Sequence, residues 1–231
     1  MITRKALLWR LALICALYFG LIYFGGIWGW RLLYPIRIFV TVLHEFGHAF
    51  AAIISGGSVD YIQINPDSGG LTVTRGGSQG LIILGGYLGS VSFGNALVFI
   101  GAAKPKWIKS TLIVIITILV LAGIIWFNSV FTFLILVGFA VSLYFIGFKT
   151  RYARESLLVL GVLSLLYILQ DTAHGPVSDL QAFESEIGLF PAGVWMILWL
   201  CLALALLAFN LKNLLGGSTL TTASSTSPNK S

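Results

Sequence analysis

The chain has 231 residues, of which 58% are hydrophobic and only 10% are charged. This number of polar side chains is too small to cover the surface of a water-soluble protein. The composition therefore excludes an ordinary soluble domain and indicates a multi-pass integral membrane protein. The 14 basic residues outnumber the 8 acidic ones, giving a formal charge of +6. The basic residues cluster in short connections, a pattern that sets the orientation of membrane proteins. This distribution argues against a nucleic-acid-binding face.

Several apolar windows are long enough to cross a hydrocarbon core, which takes about 17 to 25 residues. They lie near 7–28, 33–56, 79–102, 108–127, 131–148, 155–171 and 191–211. The sequence therefore predicts a mainly α-helical transmembrane bundle of about six or seven segments, forming one integral-membrane domain over residues 1–215. Residues 216–231, which are rich in serine and threonine, are predicted to be a disordered polar tail.

The basic residues also predict which end of the bundle faces the cytoplasm. They are concentrated in the connections at 104–109 and 149–154, and both connections should lie on the cytoplasmic side. Seven complete crossings would place the basic N-terminus on the opposite side, so one window is predicted not to cross completely. The glycine-rich window 79–102 is the first candidate, although its glycines also suit close helix packing.

The second apolar window contains the motif His44-Glu45-Phe46-Gly47-His48. On a helix the two histidines lie one turn apart on the same face, so both imidazoles can bind one zinc ion while Glu45 handles a proton. A charged group at the centre of a spanning helix costs roughly 2.5 to 3.5 kcal/mol, so ionisable residues there indicate a functional site. The motif predicts His44 and His48 as metal ligands and Glu45 as the catalytic residue.

Two β-rich segments follow this window, at 59–64 and 71–74, and turn-forming residues separate them. This pattern predicts a β-hairpin over about 58–76. One interpretation is that its free edge binds an extended peptide by strand addition, which would suit a protease because a helix must unwind before it can be cut. The other is a surface hairpin that only connects two helices.

A catalytic zinc usually has three protein ligands and a water, so one ligand must come from outside the motif. Asp171 is ranked first because it ends an apolar run and can be presented at membrane depth from a separate helix. Asp179 is the alternative, although Ser178-Asp179 is also typical of a helix N-cap. His174 receives no definite role, since a lone histidine in a polar loop is usually only a loop residue.

The motif and several other segments of the sequence together form a pattern that resembles a known family. They are residues 41–49 around the motif, the hairpin, 85–90, Gln170-Asp171, Ser178-Asp179 and 188–195. Over about residues 35 to 200 this pattern resembles the site-2 protease family of intramembrane zinc metalloproteases, in particular its compact B-like branch. The resemblance implies a zinc site of two helical histidines and an aspartate from a distant transmembrane segment, with the motif glutamate as general base.

Carried onto this sequence, the resemblance implies His44, His48 and Asp171 as ligands and Glu45 as general base. The better-known members present their aspartate in an Asp-Gly motif, whereas here Thr172 follows Asp171 and Leu180 follows Asp179. The choice between the two aspartates therefore stays open.

The implied activity is that of a Zn²⁺-dependent endopeptidase that hydrolyses peptide bonds in or near transmembrane segments, with zinc-bound water activated by Glu45. Its partners would be a membrane-protein or transmembrane-peptide substrate and the lipid bilayer. The alternative is a catalytically inactive relative that serves as a membrane chaperone or binding scaffold, which the intact motif disfavours. A transporter with a buried ion site is disfavoured further, because the histidine spacing suits a metal and no inverted repeat is visible.

Overall fold

The computed structural model describes residues 3–102, 105–173 and 178–216, and the side chains within these ranges apart from 169–173, 178 and 214–216. His174 and the predicted polar tail beyond residue 216 lie outside the described residues. The described chain is mainly α-helical. Its elements are α1 (Arg4–Phe24), α2 (Gly26–Ile54), β1 (Ser58–Ile64), β2 (Gly70–Arg75), α3 (Gln79–Ala102), α4 (Pro105–Ile125), α5 (Val130–Tyr144) with a π-helical continuation (Phe145–Lys149), α6 (Ala153–Ala173), α7 (Ser178–Ile187) and α8 (Ala192–Gly216).

Six helices among the described residues are long and apolar enough to cross a membrane: α1, α2, α3, α4, α5 with its continuation, and α8. Helix α6 occupies the place of the remaining predicted window. The predicted mainly α transmembrane bundle with a short hairpin is therefore confirmed, and the protein is a multi-pass integral membrane protein.

The boundary between the first two helices differs from its prediction. The hydropathy pattern placed it between residues 28 and 33, whereas α1 ends at Phe24 and α2 begins at Gly26. Gly26 has a φ of +50°, which L-residues other than glycine rarely adopt, and a side chain at Gly25 would collide with the carbonyl oxygen of Leu21. The chain turns on these two glycines within a continuous apolar stretch, so hydropathy alone could not locate the break.

Helices α2 and α3 pack at very short range through glycines. An added Cβ at Gly89 would lie 2.7 Å from the Cα of Gly47, and one at Gly85 would lie 2.6 Å from the Gly47 carbonyl oxygen. Small residues allow this approach because no side chain separates the two backbones. Helix α3 is continuous over 24 residues, so its glycines serve the close helix contact that the sequence left open as an alternative to an interrupted crossing.

Polar contacts at one end of the bundle bring three helices together. Arg10 of α1 lies 3.2 Å from the Glu155 carboxylate of α6, and Arg154 donates a 2.6 Å hydrogen bond to the carbonyl oxygen of Gly101 in α3. The N-terminal part of α1 therefore lies at the end that carries the basic connection 149–154. The positive-inside rule predicts this clustering of basic residues.

The predicted hairpin is present as an antiparallel pair. Its register runs from Ser58 opposite Arg75 to Ile64 opposite Gly70, with one bulge between Val59 and Tyr61. The reversal uses the predicted turn chemistry, because the Asp67 side chain accepts a 2.8 Å hydrogen bond from the amide of Gly69.

Neighbouring helices hold the hairpin on both sides. On the α2 side, the hydroxyl of Thr41 donates to the carbonyl oxygen of Ser68 at 2.7 Å, and that of Tyr34 donates to Pro66 at 2.7 Å. On the other side, Thr132 of α5 accepts a 2.9 Å hydrogen bond from the amide of Ile64. The hairpin is thus fixed along the helix that carries the histidine motif.

Candidate metal centre

Helix α2 places the two motif histidines side by side. The Nε2 atoms of His44 and His48 are 3.0 Å apart, and the rings meet edge to face. This arrangement follows from the spacing of four residues, which returns both side chains to one helix face. The Nδ1 atom of His48 lies 2.7 Å from the carbonyl oxygen of Ile82. Since a carbonyl can only accept, Nδ1 carries the proton and Nε2 presents its lone pair to the site.

Asp179, in the first turn of α7, completes the cluster. Its Oδ2 atom is 2.8 Å from Nε2 of His44 and 3.3 Å from Nε2 of His48. One ligand atom from each of the three residues lies within 4.8 Å of the others. The structure therefore brings the second-ranked aspartate of the sequence analysis to the histidines.

The donor set and its geometry fit a zinc ion. Ligand distances of 2.0 to 2.2 Å in a tetrahedral site place neighbouring donor atoms about 3.3 Å apart, close to the separations found here. Asp179 Oδ2 is also buried, and its polar neighbours include the Nε2 atoms of both imidazoles. Buried charged groups are normally paired or bind metals, so a carboxylate oxygen between two imidazole nitrogens suits a bound cation. Two imidazole nitrogens and one carboxylate oxygen match the three protein ligands typical of catalytic zinc sites, which would leave the fourth position for water or substrate.

The first-ranked candidate, Asp171, lies near the end of α6. Its side chain lies outside the described part of the structure, so the choice of Asp171 as third ligand stays a prediction. The sequence ranked it first because it ends an apolar run. It gave no sign that the short helix α7 returns the next aspartate, Asp179, to α2.

Aromatic side chains support α7 and the histidines. Tyr87 of α3 packs edge to face on His44 with ring centroids 5.0 Å apart, and it also contacts Trp199 of α8. Phe183, one turn after Asp179 in α7, packs on Trp199 at 5.4 Å and on Trp195 at 4.8 Å. One aromatic cluster thus joins the helix of His44 to the helix of Asp179.

Glu45 lies beside the three ligand candidates and is only 4% exposed. Its carboxylate accepts a 2.6 Å hydrogen bond from the hydroxyl of Thr72 in β2. The residues open onto a cavity of about 540 Å³ whose lining includes His44, His48, Asp179 and strand β2. The hairpin therefore borders the site through strand β2, and peptide binding by strand addition stays one of its two interpretations.

Gly86 of α3 leaves the space that the two imidazoles occupy. A Cβ at this position would lie 2.5 Å from Nε2 of His48 and 2.6 Å from Cε1 of His44. The glycine-rich segment around Gly86 is evident in the sequence, but nothing there indicates this role. Likewise, nothing in the hairpin sequence signalled that Thr72 contacts Glu45.

We expect Gly86→Ala to reduce zinc binding by at least about tenfold, since the new methyl group must displace one or both rings. Gly138→Ala is the matched control, because Gly138 also lies within a helix and nothing lies within 4 Å of its added Cβ. Zinc titration of both purified variants measures the difference. Equal zinc affinity in Gly86→Ala and the parent protein would contradict the proposed ring packing.

The fold and this cluster together define a multi-pass membrane protein with an HExxH helix and a candidate metal centre. The chain belongs to the Peptidase M50B-like family, whose model matches residues 10–210. The predicted similarity to the B-like branch of the site-2 proteases is thereby confirmed, and with it membership of a family of membrane metallopeptidases. No curated protein and no solved structure gives a significant match to the chain.

Proposed function

We propose that this protein is an intramembrane zinc metalloendopeptidase that cleaves peptide bonds in or near transmembrane segments of membrane proteins. The main support is the convergence of His44, His48 and Asp179 on one point, with Glu45 beside them in the same cavity. Asp179 takes the role of third ligand in this proposal, in place of Asp171. Membership of the Peptidase M50B-like family supports the same activity.

The roles of the residues follow from their chemistry. A zinc ion held by His44, His48 and Asp179 would act as a Lewis acid toward the peptide carbonyl and the attacking water. Glu45 takes the proton from the attacking water at its carboxylate and passes it to the departing amine. The hydrogen bond from His48 to the Ile82 carbonyl orients one imidazole for metal binding, and the Tyr87 ring restricts the other.

The substrate class follows from the surroundings of the site. The helix that carries the histidines has the length and composition of a membrane span. Lipid cannot supply water, so the polar cavity around Glu45 must hold both the water and the cleaved segment. A transmembrane or membrane-adjacent segment of another protein is therefore the substrate class that we propose.

The alternative is an inactive family member that binds membrane proteins as a chaperone or scaffold. Such a protein has no need of a buried glutamate next to the ligand cluster. Burial of a carboxylate is unfavourable unless it is compensated, so the retention of Glu45 at 4% exposure supports the enzyme.

Removal of the metal tests the proposed activity directly. The protein is reconstituted in proteoliposomes with a reporter protein that contains a transmembrane segment, and cleavage is followed before and after treatment with a zinc chelator. We expect cleavage to stop after chelation and to return when Zn²⁺, but not Mg²⁺, is added. Undiminished cleavage by protein shown to be metal-free would overturn the proposal.

A further inference from the structure

The hydrogen bond between the hairpin and Glu45 is the starting observation. The Thr72 hydroxyl lies 2.6 Å from Glu45 Oε2 and 3.0 Å from the Glu45 carbonyl oxygen. A hydroxyl has one proton to donate, and the shorter contact assigns it to the carboxylate. Hydrogen bonds to an ionised group are roughly twice as strong as neutral ones.

A second residue of the same strand shapes this contact. A Cβ at Gly70 would lie 2.7 Å from Cγ and 2.8 Å from Cδ of Glu45, so only glycine leaves room for the side chain. Gly70 and Thr72 are two residues apart in β2 and therefore face the same side of the strand. Together they fix the Glu45 side chain: Gly70 leaves the space that it occupies, and the Thr72 hydroxyl donates a hydrogen bond to its carboxylate.

We propose that Thr72 is a positioning residue for the general base, and that strand β2 holds the Glu45 carboxylate in its reactive orientation. This inference rests on the proposed function. Other proteins commonly fix a catalytic carboxylate through a neighbour on a rigid element, and here the neighbour comes from the hairpin. Hydrogen bonds to Thr41 and Thr132 anchor the hairpin to its neighbouring helices, so Thr72 is held in a fixed position relative to Glu45.

The arrangement gives the hairpin a second task besides lining the cavity. A glutamate side chain has three rotatable bonds, and ordering it only in the transition state would slow the reaction. The bond to Thr72 restricts this freedom before the substrate arrives. Loss of the bond should therefore reduce the rate of the chemical step, with little effect on substrate affinity or on the three ligand candidates.

The test compares three variants of full-length protein in proteoliposomes. Thr72→Val removes the hydroxyl and keeps the shape, Thr72→Ser keeps the hydroxyl, and Thr117→Val removes an exposed hydroxyl from α4 as a matched control. We expect Thr72→Val to lower kcat about 10- to 100-fold with KM and zinc content unchanged, the range typical of lost supporting contacts around metal sites. Thr72→Ser should recover most of kcat, and Thr117→Val should match the parent protein.

The order of the serine and valine variants separates positioning from a merely structural role. Valine favours β-strands more than serine does, so a structural role predicts that Thr72→Val is the better variant. Equal kcat in Thr72→Val and the parent protein, or a higher kcat in Thr72→Val than in Thr72→Ser, would overturn the inference. If Thr72→Val does not fold, Thr72→Ala replaces it in the same comparison.

A parallel measurement on Glu45→Gln keeps the two proposals distinct. An inactive Glu45→Gln together with a fully active Thr72→Val overturns only the role of Thr72. A fully active Glu45→Gln overturns the proposed function and the inference with it.

Discussion

Glu45→Gln is expected to reduce peptide hydrolysis by at least about 10²- to 10⁴-fold, the contribution typical of a general base. The glutamine amide has nearly the same shape as the carboxylate but cannot accept a proton from water. Because Glu45 is not one of the three ligand candidates, zinc content should stay at the level of the parent protein. Turnover of a transmembrane reporter in proteoliposomes, with zinc analysis of the same samples, measures both quantities.

Glu186→Gln is the matched control, because Glu186 is exposed on α7 and loses the same charge outside the cavity. It should cleave at the parental rate. Equal turnover by Glu45→Gln and the parent protein would contradict the role of Glu45.

The inactive Glu45→Gln protein can also retain its substrate, which allows a test of strand addition. If strand β2 binds the peptide, a photo-reactive group at Leu71 should cross-link to it. Absence of the cross-link would contradict strand addition.

Asp179→Ala is expected to lower zinc affinity by at least about 100-fold and to abolish cleavage, since loss of a direct ligand should exceed the effect of losing a supporting contact. Asp171→Ala, eight residues earlier, is the matched variant and should keep zinc and activity. The prediction rests on the distances of 2.8 and 3.3 Å between the Asp179 carboxylate and the two imidazoles. Zinc titration followed by the reporter assay compares the two variants.

The opposite pattern would restore the first ranking made from the sequence. Zinc lost in Asp171→Ala and retained in Asp179→Ala would identify Asp171 as the third ligand. The position of Asp179 beside the histidines would then need another explanation, such as an ion pair with a protonated ring.

Composition and local spacing were sufficient to predict the membrane bundle, the hairpin and the histidine pair. The windows predicted the helices because lipid leaves few alternatives to continuous apolar segments. The spacing from His44 to His48 predicted their shared face because it depends on one helix only. The turn residues between β1 and β2 likewise act locally.

The remaining features depend on contacts between distant segments. The approach of Asp179 to His44 requires the return of α7, and the space at Gly86 exists only once α3 packs on α2. The contact of Thr72 with Glu45 depends on how the hairpin lies along its helix. Hydropathy could not locate the turn at Gly25 either, because the residues on both sides of it are apolar.

The central claim is that His44, His48 and Asp179 bind one zinc ion. X-ray absorption at the zinc K-edge of the purified parent protein tests it most directly, because it reports the ligand types and their distances. We predict one zinc per chain with two imidazole nitrogens at about 2.0 to 2.1 Å and a carboxylate oxygen at about 2.0 to 2.2 Å. A spectrum without imidazole ligands, or one unchanged in a His44→Ala/His48→Ala double variant, would contradict the account.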